Sequence, residues 1–475
     1  MNNNNWIDSE KKALELINLA GTQWLENDVE LVIFRKNITD ARYTEVLNYQ
    51  EFARSYINKP LPIDVTLDIA KAISKLDLAP TRIDLGTLAK QWLTEGGGNI
   101  DDFVAEKLKN YIGKDKRVIE PVDVVLYGFG RIGRLAAREL LNQNGKGGQL
   151  RLKAIVTRGN SDDEILKRSS LLRKDSVHGR FRGVITEDLE NKTIIANGNV
   201  IHMIAADNPA TIDYTQYGIN NALVIDNSGV WRDAEKLGNH LKAKGVSKVL
   251  LTAPGKGSLP NIVYGVNQLN FKPDDSQIFS AASCTTNAIS PVIKVIADAY
   301  GIESGHVETV HSYTNDQNLL DNYHKKYRRG RSAPMNMVIT ETGAASAIAK
   351  VMPEMAGKFT GNAVRVPTPD VSLAILNLNL SKEVSSAEEV NAVLQQAAAY
   401  GDLVEQIDYS TSNELVSSDC IGNSHAGIVD SKATLVAPSK KSIVLYVWYD
   451  NEYGYTRQVI RLAKYIGKVQ RLTYY

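Results

Sequence analysis

Residues 122–141 constrain the fold more tightly than any other stretch. Val122-Asp-Val-Val-Leu-Tyr127 is an apolar run of strand character, and it enters Gly128-Phe-Gly130-Arg131-Ile132-Gly133. A helical run over 135–141 follows. Glycines spaced G-x-G-x-x-G mark only a turn when they stand alone. With a strand before and a helix after, they form a dinucleotide fingerprint. Gly128 permits the tight turn, Gly130 lets the backbone approach a pyrophosphate, and Gly133 lets helix and strand pack closely. The pyrophosphate then rests on the helix N-terminus.

The segments that follow extend this unit into a sheet. Residues 150–156 read as a second strand, whose end is expected to carry an acid for the adenosine ribose. It ends instead in Thr157-Arg158-Gly159-Asn160, with Asp162 and Asp163 just beyond. Arg158 at this corner either binds a 2′-phosphate or is a solvated turn residue, one of the aspartates then taking the ribose. Further strand-like runs at 193–195, 200–204, 222–226 and 248–251 alternate with helical ones such as 233–243. That alternation predicts a Rossmann-type, doubly wound α/β domain. The strand-end loops holding Ser228 (227–231) and Thr252 (252–255) are where such sheets bind ligands.

A second constellation begins at Ser280-Ala-Ala-Ser283-Cys284-Thr285-Thr-Asn287. The chain has two cysteines, Cys284 and Cys420. Cys284 follows a buried strand end and precedes a helical run over 289–300. A thiol at a helix N-terminus meets backbone N–H groups and the positive end of the dipole, which favour the nucleophilic thiolate. The bland alternative is a structural core cysteine. His311 lies 27 residues on, at the end of a strand-like run. A helix followed by a strand returns the chain to the same sheet end, where a histidine serves the thiol as partner and later as general base. Residues 315–332 read as a long polar loop holding Arg328, Arg329 and Arg331, and such loops are usually functional. Arg365, in a strand closed by prolines, and Thr342-Gly343, opening a small-residue helix, add what a phosphate pocket needs.

The length, 475 residues, suggests two to three domains, with 43% hydrophobic and 23% charged residues, as in ordinary globular proteins. A net charge of +1 argues against nucleic acid or an anionic membrane as partner. No apolar run reaches the ~18 residues of a membrane span. No signal-peptide pattern opens the chain, and two cysteines make no disulfide framework, so a cytoplasmic location is expected. Residues 1–118 read as an all-helical extension: a run capped by Asp8, then runs at 40–57, 63–76 and 83–93. A break at 95–99 precedes a last helix capped by Asp101 or Asp102. Lys114 to Arg117 read as a linker. No catalytic motif stands out in this part, and a packing or assembly role is expected of it.

From about Val122 onward the chain resembles phosphorylating glyceraldehyde-3-phosphate dehydrogenases. The motifs run in order: 128–134, Asp175-Ser-Val-His-Gly179, 283–287, His311-Ser-Tyr-Thr314, Thr342-Gly-Ala-Ala345, Arg365-Val-Pro-Thr-Pro369 and Trp448-Tyr-Asp-Asn-Glu452. The resemblance implies a dinucleotide-binding domain at 119–283 and an α+β catalytic domain at 284–452. A C-terminal helix over 453–475 would complete the former. It implies Cys284 as nucleophile and His311 as its activator, Arg131 and Ile132 as cofactor contacts, and Asn451 as the residue orienting the nicotinamide carboxamide. Thr314 and Arg365 would hold the substrate phosphate, and Ser283, Thr285, Arg329, Thr342 and Gly343 the inorganic phosphate. The implied reaction converts D-glyceraldehyde 3-phosphate, NAD(P) and phosphate to 1,3-bisphosphoglycerate, in a homotetramer and without a metal. Arg158 stands near where NAD-specific members carry aspartate, so NADP is expected to serve at least as well as NAD. Ala288 stands where many members have a second cysteine, and Cys420 is expected in the core. The rival activity on this fold is erythrose-4-phosphate dehydrogenase. A binding or regulatory protein is the rival of another class, which the presence of both Cys284 and His311 argues against.

Overall fold

Eight strands between residues 185 and 280 and residues 122 and 157 pair into one sheet in the computed structural model, which describes residues 3–53, 60–95 and 98–475. Across the sheet the order is Ile278–Ser280, Val246–Leu251, Ala222–Asp226, Val122–Tyr127, Leu150–Thr157, Asn199–Ala205, Thr193–Ala196 and Ile185–Asp188. The first six are parallel and the last two antiparallel. All five residues of Ala222–Asp226 are buried, as expected of a parallel strand covered on both faces. The winding reverses between Val122–Tyr127 and the neighbouring Ala222–Asp226. Ligands bind at such a switch point, outside the carboxyl ends of the strands. The doubly wound expectation holds.

A second, mixed sheet carries the other half of the chemistry. Its order is Val338–Thr340, Phe359–Val366, Ile302–Ser312, Ser372–Leu380, Ser442–Tyr449, Gly427–Asp430 and Ile407–Ser410, with Leu435–Val436 also paired to Ser442–Tyr449. Helix Cys284–Tyr300 buries Ile289, Val292, Ile293 and Ile296 in one core with Val307, Leu376, Leu378 and Val447 of this sheet. Parallel pairing places His311 opposite Arg365. Antiparallel pairing places Ser372 opposite Tyr449. Helix Tyr453–Ile466 joins the same compact unit, which comprises Val122–Gln143 and Leu150–Gly467. The helix expected to reach residue 475 stops at Ile466. Gly467 caps it, and Leu472–Tyr474 is a strand.

The other compact unit comprises Met1–Pro121, Asn144–Gln149 and Lys468–Tyr475. It is largely helical, with helices Asn3–Asn27, Tyr43–Phe52, Ile63–Ser74, Leu85–Glu95 and Ile100–Leu108. It is not all-helical as expected, because it holds a four-stranded sheet in the order Lys36–Asn37, Val29–Ile33, Thr81–Asp84, Leu472–Tyr474. The reason is legible in burial. Val29–Ile33 is buried at every residue, so it shows no alternation. A short apolar run of that kind cannot be told from a helix by period. The helix expected to start at residue 83 starts at Leu85, after the strand. Asp8 lies inside the first helix rather than capping it. The last helix is capped by Asn99, whose side chain accepts from the N–H groups of Asp101 and Asp102. The two aspartates then sit in the first turn, where the dipole favours them. Lys114–Lys116 form a short 3-10 turn rather than a bare linker. Residues 54–57 of the expected run over 40–57, and Gly96 and Gly97 of the expected break, lie outside the described residues.

Candidate active site

The glycine turn fits a dinucleotide. Gly128 has φ of +92°, a conformation other residues rarely adopt, and a Cβ there would meet the Ser228 backbone nitrogen at 3.1 Å. A Cβ on Gly133 would collide with the Gly128 carbonyl oxygen, so this helix and strand approach only with glycine between them. A Cβ on Gly130 would meet nothing within 4 Å. Open space therefore faces the first turn of helix Arg131–Asn142, where free N–H groups suit a pyrophosphate. The Arg131 guanidinium is itself already neutralised: it pairs with Asp175 at 3.0 Å and with Glu452 at 2.5 Å.

Two cavities flank this turn. The smaller, about 250 Å³, is lined by Gly128, Arg158, Ser228, Trp231, Tyr127 and Asp207, among others. Arg158 makes no ion pair there with a described residue. Neither Asp162 nor Asp163 lines the cavity, and Asp162 pairs with Lys192 at 2.6 Å. The carboxylate in this cavity is Asp207, which sequence reasoning missed. Its signal was its place just past strand Asn199–Ala205, at a carboxyl end of the sheet.

The larger cavity, about 630 Å³, gathers most of the expected chemistry. Arg131, Ile132, Thr252, Ser283, Cys284, His311, Thr314, Arg365 and Asn451 all line it. So do Glu452, which closes the motif 448–452, and Arg232 and Tyr455, which were not singled out from sequence. Thr285, Arg329, Thr342 and Gly343 are not part of its wall. The Thr285 hydroxyl is instead buried against Tyr449 Oη, at 2.9 Å. Arg329 pairs with Asp316 at 2.5 Å and donates to Thr340 Oγ1 at 3.0 Å. Thr342 Oγ1 accepts from the Ala344 N–H at the start of helix Ala344–Val351.

Cys284 is the first residue of helix Cys284–Tyr300, and Ser283 caps it by accepting from the Thr286 N–H at 3.1 Å. The preceding turn is strained: Ala282 has φ of +57°, and its carbonyl accepts from Tyr455 Oη–H at 2.9 Å. This half-buried thiol has its Sγ 3.6 Å from His311 Nε2. His311 Nδ1 lies 2.7 Å from the Ser312 carbonyl, which can only accept. Arg365 Nη1, also donor-only, lies 3.0 Å from the same Nδ1. The shorter contact is to the carbonyl, which also takes an Arg365 N–H, so a proton on Nδ1 satisfies the carbonyl and leaves the Nε2 lone pair facing the sulfur. Arg365 Nη1 donates to the same carbonyl at 2.8 Å and to Thr314 Oγ1 at 3.2 Å.

Burial pushes the Cys284 thiol pKa up; the Arg365 charge and hydrogen bonds from Thr285 oppose it without prevailing. Burial, then Arg365, brings His311 down to about 3. Burial therefore works against the thiolate expected at this helix start and against the imidazolium beside it. Cys420 is buried beside Val371 and Ile428, its thiol pushed up to about 12 by burial, as fits a core residue.

A doubly wound sheet with a glycine turn at its switch point, joined to a mixed sheet that brings a cysteine and a histidine together, defines the class: a dinucleotide-binding α/β protein with a thiol site. Residues 122–234 match the NAD binding domain of glyceraldehyde 3-phosphate dehydrogenase, and residues 283–451 match its C-terminal domain. The chain belongs to the glyceraldehyde-3-phosphate dehydrogenase family. It is 53% identical over 455 residues to a glyceraldehyde-3-phosphate dehydrogenase-like protein of Pseudomonas aeruginosa, covering 94% of this chain and 97% of the relative. It is 40% identical over 348 residues to glyceraldehyde-3-phosphate dehydrogenase of Zymomonas mobilis, covering 73% of this chain and 99% of that one. With glyceraldehyde-3-phosphate dehydrogenase 1 of Bacillus subtilis it shares 40% over 347 residues, covering 73% and 98%. A match over 94% of the chain takes in most of the N-terminal extension.

Proposed function

We propose that this chain is a cytoplasmic enzyme that oxidises D-glyceraldehyde 3-phosphate to 1,3-bisphosphoglycerate, in glycolysis or its reverse. The observation that carries the reading is the 3.6 Å approach of Cys284 Sγ to His311 Nε2 in a cavity that Arg365 and Thr314 also line. Arg365 and Thr314 take the substrate phosphate, which brings the aldehyde carbon to the sulfur. As the Sγ–C bond forms, the thiol proton passes to Nε2 and then to the former carbonyl oxygen, giving a thiohemiacetal. A bound nicotinamide supplies the two-electron acceptor, and Asn451 orients its carboxamide. His311 Nε2 removes the hydroxyl proton as the carbon becomes a thioester. Inorganic phosphate attacks that carbonyl, the Sγ–C bond breaks, and the departing sulfur recovers the proton from Nε2. Protonated His311 and the Cys284 backbone N–H stabilise the oxyanion on the way. Ser283, which lines the cavity, serves the inorganic phosphate; the family resemblance adds Thr285, Arg329, Thr342 and Gly343, and Arg329 would have to leave Asp316 to do so.

Steady-state rates on glyceraldehyde 3-phosphate and erythrose 4-phosphate, with and without phosphate, test the reading. Phosphate-dependent turnover of the triose is expected. Faster, phosphate-independent turnover of the tetrose would reverse it.

Arg158, uncommitted in the smaller cavity, supports NADP use at least equal to NAD. Arg158→Ala is expected to raise KM for NADP about tenfold and leave NAD within about twofold. Equal loss with both cofactors counts against the assignment. The loop over 315–337 holds Leu319, Leu320, Tyr323, Tyr327, Met335 and Met337 at 72–90% exposure. So many large apolar side chains suit a surface covered by other copies, which supports the homotetramer that the family resemblance implies. Light scattering that gives a monomer mass would refute that assembly.

A further inference from the structure

Ser372 stands at the start of strand Ser372–Leu380, 1% exposed, and is absent from every role assigned above. Its hydroxyl is used in both directions. Oγ–H donates to Asn451 Oδ1 at 2.8 Å, and Oγ accepts from the Ser312 N–H at 3.1 Å. The residues at the two ends of this bridge matter. Asn451 lines the larger cavity. The Ser312 carbonyl is the group that fixes the His311 tautomer and receives Arg365. The Ser312 hydroxyl in turn donates to the carbonyl of Val371, the residue before Ser372. Val371 has φ of +65°, a costly conformation for a β-branched residue. Such strain persists only where the surroundings over-determine the backbone.

We propose that Ser372 is a positioning residue that sets which edge of the Asn451 amide faces the cofactor and ties that amide to the strand end bearing His311. The inference rests on the reading that Asn451 holds the nicotinamide carboxamide. With Oδ1 taking the serine proton, the amide turns its Nδ2–H groups away from Ser372. It then offers donors and selects the carboxamide carbonyl oxygen over the carboxamide amine. A carboxamide held on one side of the site by this amide would resist the half-turn about the glycosidic bond that exchanges the two ring faces. Ser372 therefore acts on the stereochemistry of hydride transfer as well as on affinity. The Tyr449 hydroxyl, beside Ser372 in the sheet, bonds Thr285 at 2.9 Å and Thr309 at 2.7 Å and also reaches the Ser372 side chain, so it is the alternative partner for the serine hydroxyl when Asn451 is removed.

Ser372→Ala, Asn451→Ala and the double variant are compared in the full-length enzyme. Dinucleotide affinity is read by fluorescence titration, and facial selectivity by NMR of the reduced nicotinamide formed from a 1-deuterated aldehyde. S372A is expected to weaken dinucleotide binding about tenfold in the parent and under twofold on the N451A background. It is also expected to place deuterium on both faces of the ring. Ser372→Thr, which keeps the hydroxyl, is expected to restore a single face. If S372A does not fold, Ser372→Cys, with its weaker donor, reads the same selectivity. An S372A effect equally large on the N451A background, or strict selectivity in both S372A and S372C, overturns the proposal while leaving the role of Asn451 standing. An N451A enzyme that binds the dinucleotide as tightly as the parent removes that role, and the proposal with it.

Discussion

Arg365 is the residue on which the state of the reactive sulfur turns. Burial raises the Cys284 thiol pKa and lowers that of His311; Arg365 opposes the first shift and adds to the second. With His311 brought down to about 3 and the thiol raised, both shifts favour the neutral pair over thiolate and imidazolium. Alkylation of Cys284 is then expected to be slow at neutral pH and to rise on the alkaline side. Arg365→Gln removes the charge that favours thiolate, so the thiol pKa moves higher still. The His311 pKa rises too, but burial still favours the neutral form of both groups. The alkylation rate with iodoacetamide at pH 7 is expected to fall about tenfold, with its pH midpoint displaced upward. A midpoint that moves down would mean that the guanidinium disfavours the thiolate and would overturn this account.

Helix Arg131–Asn142 and strand Val122–Tyr127 show how one missing side chain couples element packing to binding. Gly133→Ala places a methyl group against the Gly128 carbonyl oxygen, so the helix start must move away from the strand. Its N–H groups then point elsewhere, and dinucleotide affinity is expected to drop at least about tenfold in a fluorescence titration. Unchanged affinity would show that the close approach is not needed. This unit was legible in the sequence because strand, turn and helix are consecutive. The same holds for Cys284 at its helix start and His311 at its strand end, each carried by a local pattern. Asp207 and Arg232 were not legible. Each is one polar residue in a loop, and only the assembled sheet brings them to the cavities. Ser372 was hidden for another reason: the strand alternates and reads as ordinary, while its importance lies in partners at 312 and 451. The sheet in the extension failed to show because Val29–Ile33 is buried throughout, its hairpin partner Lys36–Asn37 is only two residues long, and its other neighbour, Thr81–Asp84, is distant in the sequence.

At the scale of the whole chain, the two ends of the sequence build one unit. Strand Leu472–Tyr474 pairs in parallel with Thr81–Asp84, nearly four hundred residues earlier in the chain. Arg471, just before it, is buried and donates to Asp28 Oδ1 at 2.5 Å and to Gln149 Oε1 at 2.5 Å. Its guanidinium also lies 4.3 Å from the Trp24 ring centre. Three separate segments thus converge on one side chain, all within the N-terminal unit. The Asp28 side chain is only 2% exposed, so removing Arg471 strands a buried carboxylate. Such a loss typically costs about 3–5 kcal/mol, much more than the pair contributes beyond an apolar replacement. Arg471→Ala is therefore expected to destabilise this unit strongly and Arg471→Met with Asp28→Leu far less. Deletion of residues 468–475 adds the loss of a strand and leaves Thr81–Asp84 as an uncovered edge. Hydrogen exchange reads the result directly: amides of Val29–Ile33 and Thr81–Asp84 are expected to lose protection in R471A and in the deletion. Protection that survives both changes would mean that the extension folds without the C-terminal tail. Full loss in the apolar double replacement would mean that the ion pair, rather than burial, holds the three segments together.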